Sequence, residues 1–331
     1  MLIRSLAALF LLSSSVVAQA ETLSLCVYDP SGANGDAFQL MKEYRIAAQG
    51  WGVDFKLKPY TDEKTASEDF KAGQCDGVVL TGTRVRSFQK FTGTIEAMGA
   101  VPSYDHLRSV VGYLASPKLA KYQKSGDYET AAVFTGGAVY LFLNDRKVNT
   151  VEQLAGKRLA VLEYDTASKV MASQVGASVV GAEIGTFAGM FNNKNVAICY
   201  APALAYEALE LYKGMGGSGG VIKYPLAQVT FQVLIRSSKF PATFAAESRK
   251  WATQNFDRFK GMAVQAEKKI PGPKWVDIPA NDRARYDEMF LETRVRLRDQ
   301  EKIYDKTMLN IMKRVRCKKD GARAECALKR E

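Results

Sequence analysis

The apolar positions of the chain switch between two spacings, one typical of β-strands and one typical of helices. After residue 20 the pattern predicts a strand in TLSLCVYDP, a helix, a strand in WGVDFKLKPY, a polar helix and a strand in CDGVVL. The first of these helices places Phe38, Met41, Ile46 and Ala47 at helical spacing. A β-α-β-α-β run needs crossover connections between parallel strands, so it predicts an α/β lobe.

A second run with the same alternation begins near residue 151, with strands in GKRLAVL, ASVVGAEIG and VAICY. Two extended segments flank it, AAVFTGGAVYLFLND before and TFQVLIRSSKF after. The pattern therefore predicts two α/β lobes, with lobe 1 over residues 21–140 and lobe 2 over 141–228. Residues 229–331 are predicted to return to lobe 1 and to end in helices. The two extended segments are the expected hinge, near residues 136–145 and 227–232.

The last predicted helix runs from about residue 282 to 316 and carries an apolar stripe at intervals of three, four or seven: Tyr286, Phe290, Leu297, Tyr304, Met308 and Ile311. We expect this stripe to pack onto the lobes. A helix of about 35 residues, at about 1.5 Å per residue, is longer than one lobe needs, so it either spans both lobes or forms a dimer seam. The oligomeric state is left open. Residues 313–331 are rich in Lys and Arg, and we expect a solvated tail, with contact to an anionic membrane or a partner protein as the alternative.

The first twenty residues have the pattern of a secretory signal peptide. Arg4 precedes an apolar stretch over residues 7–12, and Ala18, Gln19 and Ala20 form a small-x-small cleavage site. Three serines, residues 13–15, interrupt the run, which argues against an uncleaved membrane anchor. We expect export with cleavage after Ala20. The net charge of +11 favours anionic surfaces, but nucleic acid is excluded as a partner for an exported chain.

Five cysteines in an oxidising compartment predict disulfides. Cys317 and Cys326 bracket a short loop with a glycine and are expected to pair. Cys26 lies in the first strand and Cys75 just before the third, so they can pair if those strands are neighbours. Cys199 is then the unpaired one, a buried small apolar residue. None has the paired CxxC spacing of a zinc or redox site, so no metal is expected.

Catalytic signatures are missing from the sequence. The chain has one histidine, His106, and contains neither an HExxH nor a G-x-S-x-G motif. GMGGSG at residues 214–219 matches G-x-G-x-x-G in letters, but it follows a helical pattern and precedes a strand, so we interpret it as a glycine-capped helix end and loop. We therefore expect neither an enzyme nor a cofactor.

Polar and aromatic side chains follow the predicted strands of both lobes, where open α/β sheets place ligands. The candidate ligand-binding residues are Tyr28 and Asp29, Thr81 and Arg84, Glu163, Tyr164 and Asp165, and Tyr200. Arg84 is expected either to hold a carboxylate or to form a structural salt bridge, and Asp165 can instead be a helix N-cap. Arg84 favours an anionic solute and the carboxylates favour a cation, whereas a zwitterion satisfies both.

The order of these elements resembles a type II-like periplasmic solute-binding protein. LAGKRLAVLEYDTASKVMASQVGASVVGAEIGTFAGMFNNKNVAICYAPAL resembles the second lobe of the TRAP-transporter (DctP-type) binding proteins, and CDGVVLTGTRVRSFQKFTGTIEAMGA resembles the AdeT-type solute-binding proteins. The resemblance implies capture of a small polar solute between the lobes for the subunits of a membrane transporter. The AdeT-type resemblance implies an alternative, a periplasmic accessory protein of an RND-type efflux system.

Two positions depart from the TRAP pattern. The arginine that those proteins use for a ligand carboxylate falls at Ala160, and the asparagine of their next ligand strand falls near Ala201. On this alignment an organic-acid ligand loses its anchor in the second lobe, and Arg84 in the first lobe is its replacement.

Overall fold

The computed structural model describes residues 21–331, and the predicted signal peptide with its cleavage site lies outside the described residues. The strands are β1 (Glu21–Tyr28), β2 (Val53–Tyr60), β3 (Gly77–Thr81), β4 (Lys124–Ser125), β5 (Tyr128–Leu143), β6 (Arg158–Leu162), β7 (Ser178–Ala182), β8 (Ile198–Pro202), β9 (Gly220–Ile222), β10 (Ala227–Arg236) and β11 (Trp275–Val276). The helices are α1 (Asp36–Gln49), α2 (Glu63–Lys71), α3 (Gly82–Val85), α4 (Lys90–Gly93), α5 (Tyr104–Leu114), α6 (Thr166–Gln174), α7 (Ile184–Asn192), α8 (Ala205–Ala208), α9 (Tyr212–Met215), α10 (Phe244–Gln254), α11 (Phe256–Lys269), α12 (Arg283–Asp299), α13 (Lys306–Lys319) and α14 (Ala324–Ala327).

One continuous sheet runs through both lobes in the order β2-β1-β3-β10-β5-β8-β6-β7. Strands β1, β2 and β3 pair in parallel in lobe 1, and β6 pairs in parallel with β7 and β8 in lobe 2. Both parallel runs predicted from the spacing are therefore present. The carboxyl ends of β1 and β3 face those of β6 and β8 across the junction of the lobes, because β8 runs antiparallel to β5 and β10 runs antiparallel to β3.

The long strands β5 and β10 connect the two lobes. The 16 residues of β5 extend roughly 50 Å at about 3.3 Å per residue. Gly136 is the extra residue of a β-bulge in β5, since Val229 of β10 pairs with Gly137 and Thr230 pairs with Thr135. Gly137 has a φ of 106°, which a residue with a side chain rarely adopts.

The C-terminal helix is shorter than the apolar stripe predicts. The chain leaves the helix after Asp299 and begins α13 at Lys306, with Lys302 at a φ of 57° and the Asp305 carboxylate accepting from the Met308 amide at 2.8 Å. The prediction of one continuous helix is wrong. The apolar stripe keeps its spacing across this turn, so the spacing alone does not reveal the break. Helix α12 packs on α6 of lobe 2, and α13 packs on α5 and residues 94–96 of lobe 1. The stripe is buried or half-buried inside the chain, so the pair spans both lobes and the stripe is not available as a dimer seam.

Residues 313–331 do not form the expected solvated tail. Arg316 is fully buried, as is Arg294 of α12, and both donate to the carboxylates of Glu325 and Glu331. Arg294 and Arg316 also donate to the carbonyl oxygens of Met98 and Ala100, each with a distance below 3 Å. We call the four side chains of Arg294, Arg316, Glu325 and Glu331 the ionic lock, and it fixes α12 and α13 to residues 97–101.

Two disulfides are formed, as the spacing predicts. Cys26 pairs with Cys75, which ties β1 to the start of β3, and Cys317 pairs with Cys326, which closes the loop that carries Glu325. Cys199 is buried and unpaired among the cysteines of residues 21–331. In this part of the chain no helix is both long and apolar enough to cross a membrane.

Candidate functional site

The lobes meet in a cluster that we call the clasp, formed by Tyr164 of lobe 2 with Glu63, Thr81 and Arg84 of lobe 1. The guanidinium carbon of Arg84 lies 3.6 Å from the centre of the Tyr164 ring, a cation–π stack. The Tyr164 hydroxyl donates to Glu63 Oε2 at 3.1 Å, and Arg84 Nε lies 3.7 Å from the same oxygen. Of the two roles considered for Arg84, the structure places it in the salt bridge. The clasp joins the lobes directly, side chain to side chain.

Glu63 is the centre of the clasp and was not among the predicted site residues. Its Oε1 accepts from the backbone amide of Thr81 at 2.6 Å and from the Thr81 hydroxyl at 2.7 Å. Burial raises the pKa of Glu63, against the opposing effect of Thr81, Arg84 and Tyr164. Tyr28, the last residue of β1, is buried beside these groups, and burial together with the charge of Glu63 raises its pKa as well. Because α2 begins directly at Glu63, its first turn points this carboxylate at the end of β3.

A small cavity of about 60 Å³ lies next to the clasp. Most of its surface is apolar, and we call it the polar cavity because charged side chains of both lobes are part of its lining. Its lining comprises Thr83, Arg86, Glu96, Met98, Val139, Asp165, Ser168, Tyr200, Leu226, Ala227, Gln228 and Val229. Two of the predicted residues, Asp165 and Tyr200, are thus brought together here. The Tyr200 hydroxyl donates to Asp165 Oδ2 at 2.9 Å, and Asp165 also caps α6 by accepting from the Ser168 amide at 3.2 Å.

Glu96 holds the lobe 1 wall of the polar cavity in place. It is only 5% exposed, and its two oxygens accept five hydrogen bonds, from the amides of Gly82, Thr83 and Thr230 and from both threonine hydroxyls. A Cβ at Gly82 would lie 2.7 Å from the Glu96 carboxylate, so only glycine fits there. This carboxylate ties the end of β3 to the crossing strand β10.

Two predicted site residues lie away from the clasp and the polar cavity. Asp29 is buried, but its oxygens accept from the backbone amides of Ser31 and Phe38, which holds the loop before α1. It borders a separate, mainly apolar cavity of about 180 Å³ between α1, α8 and α11. Glu163 is exposed and lies over Gly181 of the neighbouring strand β7.

His106 lies outside the site, near the amino end of α5. Its Nδ1 is 2.7 Å from the Ser103 hydroxyl oxygen. Burial, followed by the charges of Lys319, Arg323 and Arg316, lowers the pKa of His106 to about 4. Within residues 21–331, no group of three or more His, Cys, Asp or Glu side chains is arranged to hold a metal ion.

Replacing His106 by glutamine is expected to reduce the loss of stability on acidification. A histidine whose pKa is lower in the folded state than in the unfolded state, about 6.5, stabilises the fold above pH 6.5 and loses that contribution as the pH falls toward 4. Since the chain has only one histidine, the wild type should lose more stability than the variant between pH 6.5 and 4. Urea unfolding at several pH values measures this, and parallel curves for the two proteins would contradict it.

Comparisons with known proteins agree on one family. Residues 44–331 match the family described as solute-binding protein AdeT 1/2. The chain is 40% identical over 305 residues to the "Probable solute-binding protein AdeT1" of Acinetobacter baumannii, covering 92% of this chain and 100% of that protein. These relatives are solute-binding proteins and not enzymes.

Solved structures show the same fold at low sequence identity. A TRAP periplasmic solute-binding protein from Desulfovibrio salexigens, with bound orotic acid, has a TM-score of 0.71 at 14% identity and covers 90% of this chain and 99% of its own. One from Ochrobactrum anthropi, with its C-terminus bound in the ligand-binding pocket, has a TM-score of 0.72 at 14% identity and covers 93% of this chain and 98% of its own. The chain therefore has the two-lobed α/β fold of these binding proteins.

Proposed function

The chain belongs to the solute-binding protein AdeT 1/2 family, and on this premise we propose that it captures a small polar solute between its lobes in the periplasm and presents it to a membrane transporter. Export by a signal peptide cleaved after Ala20 is part of the proposal. The alternative of an accessory protein for RND-type efflux is not supported by the comparisons. In its expected contact, the basic C-terminal segment, Arg316 is buried in the ionic lock.

The clasp is the observation that carries this proposal. Four connections link the lobes, namely β5, β10, α11 and the turn at residues 300–305. The clasp adds side-chain contacts between the lobes, which an opening of the cleft would break. Closing the lobes over a solute is a hinge motion of the kind that binding proteins use. We propose that Tyr28, Thr81, Arg84 and Tyr164 close the cleft, and that Asp165 and Tyr200 contact the solute.

Thermal unfolding of residues 21–331 with intact disulfides tests the proposal against four solute classes: carboxylates, amino acids, polyamines and amino sugars. A solute at 100 times its dissociation constant adds about 2.7 kcal/mol to the stability, a shift of a few degrees for a chain of this size. We expect a reproducible shift confined to one class. A protein that unfolds cooperatively at the same temperature with all four classes would contradict the proposal.

Replacing Tyr164 by alanine is expected to weaken binding of that solute by roughly tenfold or more. The variant loses the cation–π stack with Arg84 and the hydrogen bond to Glu63, both of which favour the closed state, and a ligand that binds the closed state depends on its population. Titration calorimetry measures the affinity, and small-angle X-ray scattering should show a larger radius of gyration for the variant. Tyr113→Ala, at a tyrosine that is 47% exposed on α5, is the matched control. Equal affinity in the two variants would show that the clasp has no part in closure.

A further inference from the structure

The amide of Gln228 lies in the polar cavity without a partner. Its side chain is only 1% exposed, and neither its nitrogen nor its oxygen forms a hydrogen bond with any residue of the described chain, 21–331. Buried polar groups are nearly always hydrogen-bonded in folded proteins, because leaving one unpaired costs free energy. Gln228 lines the cavity from β10, the strand that crosses between the lobes, so an unpaired amide lies in the cavity wall.

Two opposite charges line the same cavity without a counter-charge. Arg86 donates to neutral oxygens, the carbonyl of Gly93 and the hydroxyl of Thr83, and lies over the ring of Tyr304. Within residues 21–331, Asp165 accepts only from neutral groups, the amide and hydroxyl of Ser168 and the hydroxyl of Tyr200. Arg86 belongs to lobe 1 and Asp165 to lobe 2, so each lobe contributes one charge to the lining. The remaining charge, on Glu96, is already met by five donors.

From these three groups we infer that the polar cavity binds the ammonium and carboxylate head group of a free amino acid, an inference that rests on the proposed function and names its solute class. The solute carboxylate faces Arg86 and the Gln228 amide nitrogen, and the ammonium faces Asp165 and the Gln228 oxygen. A solute with one charge leaves either Arg86 or Asp165 without an opposite charge, and a neutral solute leaves both of them without one. The cavity of about 60 Å³ is small, so the inference is limited to the head group and to the amino acids with the smallest side chains.

Alanine, ethylamine and propionate form a matched set of probes, since each of the last two is alanine without one of its charged groups. The protein used is residues 21–331 with intact disulfides. Alanine is expected to raise its unfolding temperature and to bind at least tenfold more tightly than either ethylamine or propionate. Equal binding of ethylamine or propionate would overturn the inference. Binding of another solute class with no response to amino acids would also overturn it, while leaving solute capture intact. Silence for every class would remove the proposed function itself.

Gln228→Met tests the amide against a matched change at Gln232, two residues along the same strand. The Gln232 amide nitrogen donates to the Thr92 carbonyl and the Thr230 hydroxyl, so Gln232→Met is expected to lower the unfolding temperature without solute. Gln228→Met removes an amide without partners, so its unfolding temperature without solute is expected to equal or exceed that of the wild type. Its affinity for alanine is expected to fall roughly tenfold to a hundredfold, the range for a lost hydrogen bond to a charged group. A Gln228→Met variant that loses as much thermal stability as Gln232→Met, or that binds alanine normally, would overturn the inference.

Discussion

Replacing Glu325 by glutamine is expected to lower the free energy of unfolding by about 3–5 kcal/mol, the usual cost of breaking a buried ion pair. The side chains of Arg294 and Arg316 are 1% and 0% exposed, and both donate to Glu325, at 2.5 and 2.7 Å. In the variant, the two guanidinium groups share only the carboxylate of Glu331. Since the lock fixes α12 and α13 to residues 97–101, both lobes lose an anchor at once. Equilibrium unfolding in guanidinium chloride with intact disulfides measures the change.

Glu152→Gln is the control for this experiment, because Glu152 pairs with Arg285 at the surface and both side chains are more than half exposed. A surface pair contributes about 0–1 kcal/mol, so the control should unfold close to the wild type. Equal costs for the two variants would show that the ionic lock does not stabilise the fold.

The ionic lock also predicts that the free energy of unfolding depends on pH. Burial opposes ionisation of Glu325, but the charges of Arg316 and Arg294 outweigh it and lower the pKa of this carboxyl to about 2. A carboxylate with a lowered folded-state pKa stabilises the protein above its unfolded pKa, about 4.3, and this contribution is lost as the pH falls toward 2. Glu325→Gln should therefore remove part of the stability loss between about pH 4.3 and 2. The wild type and Glu152→Gln should keep that loss.

The lobes and their parallel strands were predictable because the spacing of apolar residues indicates local structure. A change from alternating to helical spacing marks each strand and helix, and the two extended segments, rich in β-formers, correctly located the crossing strands. The break before Lys306 was not predictable in this way. Leu297 and Tyr304 are seven residues apart and both buried, so the stripe continues although the helix does not.

The candidate site was only partly visible in the sequence. Residues at strand ends were found from topology, and Tyr164, Arg84, Asp165 and Tyr200 do lie at the junction of the lobes. Glu63 was missed because a glutamate in the first turn of a polar helix is normally solvated. Gln228, Thr230 and Gln232 carried a usable signal, however. Polar residues at every second position of an otherwise apolar strand share one face, and here that face contacts Glu96 and the polar cavity.

Removing the disulfide between Cys26 and Cys75 by substituting alanine at both positions is expected to cost about 4 kcal/mol. The bond closes a loop with a sequence separation of 49, and the entropy that a cross-link removes from the unfolded chain grows with loop length. Both cysteines are almost fully buried, so the space left by their two sulfur atoms adds to this cost. The second disulfide, Cys317–Cys326, has a separation of only 9, and the same change there is expected to cost about 3 kcal/mol.

Equilibrium unfolding in guanidinium chloride without reductant measures the free energy of unfolding of the wild type and of the two double variants. Cys199 is free in every variant, and unfolding exposes it to the remaining disulfide, so all proteins in the comparison carry Cys199→Ala to prevent disulfide exchange. Loss of the Cys26–Cys75 bond should also weaken the clasp, because this bond ties together the two strands whose ends carry Tyr28 and Thr81. If that variant unfolds at the same denaturant concentration as the wild type, the parallel pairing of β1 with β3 holds these strands by itself. In that case the lobe 1 side of the clasp depends on Glu63 and its bonds to Thr81, and not on the cross-link.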